Sequence, residues 1–410
     1  MPPAFVARQP AFLRGRTRPR GRAARARRFL TRLVLAGGAG AIVLWIAIQK
    51  VSWLGPLLAD TARSILGPAA VAWLEDTTYG VQDRLNRWRL KDAPPTTYWQ
   101  PEPVSLAPAI APLDAALPPD DAGTDSGPPT TFPPPDFPPP IPAVAAKGDG
   151  VWIVVPDDVE PSGPPVLAKT LVHPDPARTY AAVAIVAMDL SRVRVTSVAG
   201  TAEPASDVKT SRPGRIPQED HARLVTAFNG GWQAVHGHFG MMVDGTVLLP
   251  AKDDSCTFSL FKDGSVAIGT WTGLAEGASR MQSWRQTPPC LYEGGRQNPK
   301  LTDGTANWGA AVDGATIIRR SGVGLSRDRK TLFYGSGDGL GALTLARALV
   351  AAGAWDAAEL DVNWAFPRYL FYVHSNGVPS AKQSLIPCSF KPGEYATTSF
   401  YRDFFYVTRR

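Results

Sequence analysis

The chain has 410 residues, 44% of them hydrophobic, a formal charge of +7 and 40 prolines. That length leaves room for one or two domains, and the clustering of the prolines excludes a chain folded uniformly from end to end. The charge belongs to the tail: residues 1–32 hold ten arginines and no acid, and the rest carries 33 basic against 36 acidic residues.

A basic tail suits nucleic acid or anionic lipid. The segment next to it favours lipid, and no nucleic-acid partner is expected. Residues 33–48, "LVLAGGAGAIVLWIAI", contain no charge. At ~1.5 Å per residue they reach about 24 Å, a little short of a bilayer core, and flanking Arg32 and Lys50 can snorkel. We expect a transmembrane helix over residues 33–50, with the tail cytoplasmic by the positive-inside rule and the rest across the membrane. A cleaved signal peptide is the alternative, but no small-x-small site comes soon after Ile48. Residues 51–92 are apolar-periodic and broken at Gly67-Pro68, which predicts two short amphipathic helices beside the membrane surface, or a plain stalk. Residues 93–147, with "PPTTFPPPDFPPPIP", read as a disordered linker that holds a folded domain, 148–410, away from the bilayer.

Within that domain "GVWIVV", "AAVAIVAMDL" and "SRVRVTSVAG" read as strands. "PQEDHARLVTAF" (residues 217–228) reads as a helix with acids in its first turn. Asp244-Gly245, Asp263-Gly264 and Asp313-Gly314 sit between apolar runs, each a hairpin signal. "LGALTLARALVAAGA" predicts a helix, and "WDAAELDV", "YLFYV" and "DFFYVTRR" predict buried or closing strands. The fold class is α+β: a large, mostly antiparallel or mixed sheet with a few packed helices. No 20–50-residue repeat suggests a propeller or solenoid.

Three cysteines make one disulfide and one free thiol the simplest arithmetic. Cys290 and Cys388 follow prolines in loop-like settings and are the expected pair. Cys256, in the strand pattern "SCTFSLF", is expected to be a buried thiol. No C-x-x-C pair, phosphate loop, nucleophile-elbow serine or H-E-x-x-H stands in the chain, and no metal or cofactor is expected.

Four stretches could carry chemistry. "AFNGGW" places Asn229, Gly230 and Gly231 in a turn that lets a ligand approach the backbone; an ordinary tight turn is the competing explanation. "IIRRSGVGLSRD" ends a strand at Arg319 and Arg320, and an arginine fork suits phosphate, although solvated edge charges look the same. In "AAELDVNWAFPRYL", Glu359 and Asp361 share a strand face, and two close carboxylates push one pKa up, as acid and base roles require. An exposed acidic face is the competing explanation there. His236 and His238 lack a third metal ligand, so His238 is placed as a structural or substrate-contacting residue.

Taken in order, "NGGW", "GMMVDG", "RSGVG" and "TLARALVAAGAWDAAELD" resemble the phosphodiester glycosidase family, over about residues 181–373. The glycine run and serine that the family carries after its aspartate are absent; Val362, Asn363, Trp364 and Ala365 stand there. The resemblance implies hydrolysis of a sugar–phosphate diester. Glu359 stands where the family carries an asparagine. On this reading we assign Asp361 and Glu359 to the carboxylate work, Arg320 to phosphate, and Asn229, Gly230 and Gly231 to sugar or phosphate; Asn363, Trp364 and His238 are further candidates for substrate contact. We expect a membrane-anchored exported hydrolase in a bacterial cell envelope, with a carbohydrate or glycosyl phosphodiester as its partner. The alternative is an inactive relative that binds envelope glycan or a protein.

Overall fold

The computed structural model describes residues 68–99, 131–302, 308, 317–363 and 365–410. The expected span at 33–50, the first of the two helices expected in 51–92, and the Asp313-Gly314 hairpin lie outside the described residues. Among those described, no helix is long and apolar enough to cross a membrane. The chain divides into two compact units, Met1–Ile65 and Leu66–Arg410, and all that is described belongs to the second.

Helix α1 spans Pro68–Arg89. It begins on the proline, whose missing N–H costs nothing in a first turn. Eighteen strands come after it among the described residues: β1 (Ile153–Val155), β2 (Leu167–Val172), β3 (Val183–Asp189), β4 (Val193–Val198), β5 (Leu224–Asn229), β6 (Met241–Val243), β7 (Thr246–Leu249), β8 (Cys256–Phe261), β9 (Val266–Thr270), β10 (Met281–Thr287), β11 (Tyr292–Glu293), β12 (Arg296–Gln297), β13 (Ile318–Ser326), β14 (Thr331–Leu340), β15 (Ala354–Val362), β16 (Tyr369–Ser375), β17 (Val378–Ser384) and β18 (Phe404–Arg409). Helices α2 (Trp271–Leu274) and α3 (Ala342–Ala351) interrupt them.

The strands form three sheets rather than one, ordered β1-β2-β3-β14-β13-β15-β11-β12, β7-β6-β10-β8-β9 and β17-β16-β5-β18-β4. Their ladders are antiparallel. The domain is therefore α+β and rich in sheet, as expected. Period-two alternation explains the apolar runs. Along β3, Ala184, Val186 and Met188 enter a central core shared by all three sheets. Val183, Ile185 and Ala187 enter a second core under α3. Likewise Phe405 and Val407 of β18 face the central core, while Phe404 and Tyr406 face a third. Strands buried on both faces read as unbroken apolar stretches.

Three expectations fail here for physical reasons. Residues 217–228 are not one helix: a 3-10 turn at Gln218–Arg223 leads into β5. Val225 and Phe228 fill the central core and Leu224 and Ala227 the third, which a strand in mid-sheet can do. The Arg319-Arg320 strand does not end at Arg320; β13 runs on through Gly322 and Gly324. Gly322 is interior because α3 lies on it: a Cβ there would stand 3.1 Å from Leu345 Cδ2, as one on Gly335 of β14 would stand 3.0 Å from Leu349 Cδ2, whereas a Cβ on Gly324 would stand 2.6 Å from Ala354 Cβ of β15. The disulfide joins Cys256 to Cys290, not Cys290 to Cys388. Antiparallel β8–β10 pairing sets Cys256 opposite Thr287, so the chain needs only three more residues to bring Cys290 to a Cα separation of 4.6 Å, within bridging range. Cys388 is the free thiol and packs on the third core instead.

The hairpin at Asp244-Gly245 has the two positive φ values that a type I′ turn requires, 47° and 77°. At Asp263-Gly264 glycine alone is positive. Residues 131–147, expected to belong to the linker, make defined contacts: Phe132 and Phe137 pack on the second core.

Candidate functional site

Asn229 ends β5 between β16 and β18. Its Oδ1 accepts from the Tyr334 hydroxyl at 2.8 Å and the Arg368 amide at 3.1 Å. Its Nδ2 donates to Ser321 Oγ at 2.9 Å and to the Gly230 carbonyl at 3.0 Å. Both lone pairs and both protons of the amide are in use. The glycine turn after it is fixed by Asp403, at the head of β18. Gly230 N–H donates to the Asp403 carbonyl at 3.0 Å and Gly231 N–H to Asp403 Oδ2 at 2.9 Å. A Cβ on Gly230 would lie 2.1 Å from that Oδ2, and one on Gly231 2.9 Å from Arg285 Cζ. The two glycines thus make room for the buried Asp403–Arg285 pair, whose Nε–Oδ2 distance is 2.9 Å.

This turn is tied to the end of β15. Gly230 O accepts the Asp361 N–H at 3.1 Å. Trp232 Nε1 donates to Leu360 O at 2.7 Å. Ser321 Oγ, already bonded to Asn229, donates to Asp361 O at 2.8 Å. Arg402 Nη2 reaches both Asp361 Oδ2, at 2.8 Å, and Gly231 O, at 3.2 Å. Two residues back along β15, Glu359 Oε1 accepts from Arg320 Nη1 at 2.6 Å. Arg320 also donates to Leu340 O and Trp308 O. The structure therefore brings Asn229, Gly230, Gly231 and Asp361 into one buried hydrogen-bonded network, with the buried Arg320–Glu359 pair next to it along β13 and β15.

The carboxylates share a neighbourhood, as the period-two spacing implies, but their main perturbation is different from the one expected. Burial pushes Glu359 up to about 7, against the pull of Arg320, and Asp361 adds the smallest push. Burial likewise raises Asp361, with Arg402 opposing and Asp403 adding to it. Desolvation outweighs mutual repulsion because neither carboxylate reaches water to any extent: Glu359 is 0% exposed and Asp361 5%. Among the described residues, several buried polar atoms of the cluster have no hydrogen-bond partner: Glu359 Oε2, Arg402 Nε and Nη1, and Asp403 Oδ1. The Arg402 guanidinium lies 4.5 Å from the Phe366 ring centroid.

Two other candidates, Asn363 and His238, take no part in these bonds. Asn363 Oδ1 accepts the amides of Ala365 and Phe366 at 2.7 and 2.9 Å, a local turn leading into Pro367. His238 is exposed, with φ 48°, on the loop after the glycine turn. Trp364 lies outside the described residues. Arg402, Asp403, Arg285 and Ser321 are members of the cluster that the sequence alone did not single out. The signal available was "YRDFF", an adjacent pair of opposite charges heading a strand whose first four residues, Phe404 to Val407, are apolar. Among the described residues no group of three or more His, Cys, Asp or Glu could hold a metal ion.

No family model matches the chain, and no curated protein matches it by sequence. Among solved structures it is similar to the zebrafish N-acetylglucosamine-1-phosphodiester alpha-N-acetylglucosaminidase catalytic domain auto-inhibited by its pro-peptide, at 15% identity and TM-score 0.39, over 63% of this chain and 87% of that one. It is also similar to a hypothetical protein from Synechocystis, at 10% identity and TM-score 0.38, over 61% of this chain and 64% of that one. A putative exported protein from Burkholderia pseudomallei shares 11% identity at TM-score 0.29, over 56% of this chain and 74% of that one. These are distant likenesses of fold, and none assigns an activity to this chain.

Proposed function

We propose that the domain of residues 148–410 is a hydrolase of glycosyl phosphodiesters in a bacterial cell envelope, anchored through residues 33–50 with its N-terminus cytoplasmic. The observation that carries this reading is the pair on β15: Glu359, which burial keeps largely protonated up to about pH 7, beside Asp361, which is ion-paired to Arg402. A proton-bearing carboxyl beside a second carboxyl held by an arginine is the pairing that breaking a glycosidic bond uses. Glu359 holds Arg320 through Oε1 and has Oε2 free of partners among the described residues, so Oε2 is the oxygen to deliver a proton to the leaving phosphate oxygen. Asp361 stabilises the positive charge that develops at the anomeric carbon as its bond to that oxygen breaks; a water then bonds to this carbon and gives its proton to Glu359, which restores the acid. Arg402, with Nε and Nη1 unbonded, takes the phosphate in place of Arg320, which is occupied by Leu340, Trp308 and Glu359. For substrate to reach that guanidinium, Phe366 has to leave it.

The saturation of Asn229 and the burial of Asn229, Arg320, Glu359 and Asp361 favour a second reading, an inactive relative that binds envelope glycan or a protein partner. One experiment separates the two. The purified chain is assayed on synthetic sugar-phosphate diesters beside Asp361→Asn and Glu359→Gln. The hydrolase reading expects turnover that both variants lose. Calorimetric binding of the same diesters without turnover in any of the three chains decides for the binding module.

A further inference from the structure

Helix α1 carries an apolar stripe that nothing among the described residues covers. Val81, Leu85 and Trp88 recur at i, i+4 and i+7, one face of a helix, and are 52%, 48% and 76% exposed. Arg84 and Arg89 flank the stripe and are exposed; just beyond the helix, exposed Lys91 is offset by exposed Asp92. The opposite face carries Asp83, which is buried and gripped by Arg178 through Nε at 2.7 Å and Nη2 at 2.8 Å, with the Tyr180 hydroxyl at 3.2 Å. The chain then stays on the domain. Thr96 O lies 2.9 Å from His173 Nε2, the Tyr98 hydroxyl donates to Ala182 O at 3.3 Å, and Lys169 sits 4.5 Å over the Trp99 ring. Beyond the Pro-rich stretch the contacts resume at Phe132 and Phe137.

We propose that this stripe rests on the surface of an anionic lipid bilayer, so that α1 clamps the domain to the membrane and the Pro-rich stretch is a loop that leaves the domain and rejoins it. Two observations choose lipid over protein as the occupant. The exposed arc around the stripe is basic: its flanks are Arg84 and Arg89, and the acid within residues 81–89, Asp83, is turned inward. Amphipathic helices with an apolar face, a tryptophan and basic edges lie in the headgroup layer of anionic membranes. Second, nineteen residues separate α1 from the uncharged run at 33–48, so a bilayer that receives that run lies within about 65 Å of chain. This placement is independent of any reaction at Glu359 and Asp361.

The test uses the full chain in a Cys388→Ser background, reconstituted in phosphatidylcholine–phosphatidylglycerol vesicles. Nitroxide labels are placed singly at Leu85→Cys, Trp88→Cys and, as a reference, Val378→Cys, which is exposed on another sheet. Dissolved oxygen should relax the labels at 85 and 88 more than an aqueous nickel chelate does, and the order should reverse at 378. Omitting phosphatidylglycerol, or adding Arg84→Gln with Arg89→Gln, should shift 85 and 88 toward the aqueous reagent. Equal access of the chelate to all three positions overturns the proposal. So does shielding of 85 and 88 from both reagents, or mutual broadening of the labels, which would put a protein partner or a second copy on the stripe.

Discussion

Arg320 Nη1 stands 2.6 Å from Glu359 Oε1 across the β13–β15 ladder, with both side chains closed to solvent. Burial still wins over this ion pair and lifts Glu359 from 4.5 to about 7. Between those values the folded chain keeps a proton that the unfolded chain releases. The contribution of this group is full below the unfolded value and is lost as pH rises through about 7. Unfolding free energies measured from pH 4 to 8 should fall in the wild type, relative to Glu359→Gln, by on the order of 3 kcal/mol.

Breaking the same pair from the other side should be more damaging. Arg320→Ala removes the donor to Glu359, Leu340 and Trp308 at once and leaves a carboxyl buried without a partner. Denaturant melts should show a loss of about 3–5 kcal/mol, well above that of Glu359→Gln.

On the proposed hydrolase reading, activity tracks the protonation of Glu359. The rate on a sugar-phosphate diester is expected to decline as pH rises above 7, where the acid ionises. Glu359→Gln should lose about 10²–10⁴-fold in kcat at neutral pH and should no longer show that decline. Asp361→Asn should lose activity while its circular dichroism stays that of the wild type.

Gly230→Ala places a methyl carbon 2.1 Å from Asp403 Oδ2. Asp403 cannot retreat without releasing Arg285 and the Gly231 amide. We expect a loss of about 3 kcal/mol or more, read as a lowered Tm. An Asp403→Asn variant should not rescue it, since the amide occupies the same volume.

Mass mapping under non-reducing conditions should recover a Cys256–Cys290 peptide. With a separation of 34 residues, Cys290→Ala should cost about 3–4 kcal/mol. Cys388 should react slowly with an alkylating reagent in the native chain and rapidly once unfolded, because burial pushes its thiol pKa up and the thiolate is the reactive form.

The strands of this domain were legible because their apolar residues are consecutive, and helix α3 because its period and its glycine stop agree. The carboxylates on β15 were legible from a spacing of two. The hidden features depend on contacts between distant strands. Whether Cys256 meets Cys290 or Cys388 is decided by the β8–β10 register, which no local pattern fixes. The partner of Asp361 is Arg402, forty-one residues away, and the glycines of "NGGW" answer to Asp403, 172 residues from Gly231. Residues 217–228, expected as one helix, keep their acids in the 3-10 turn and have no periodicity strong enough to stop the rest from taking its place as β5 between two strands. Asn376-Gly377, with φ of 52° and 75°, turns β16 into β17 by the same chemistry as Asp244-Gly245, and its sequence carries the same hairpin signal.

Because Trp99 and Phe132 are both seated on the folded body, the prolines between them set no reach. Loop closure grows costlier by only about 0.6 kcal/mol for each doubling of length. This stretch can therefore be extended or interrupted by an inserted module without altering how far the buried polar cluster stands from whatever α1 touches.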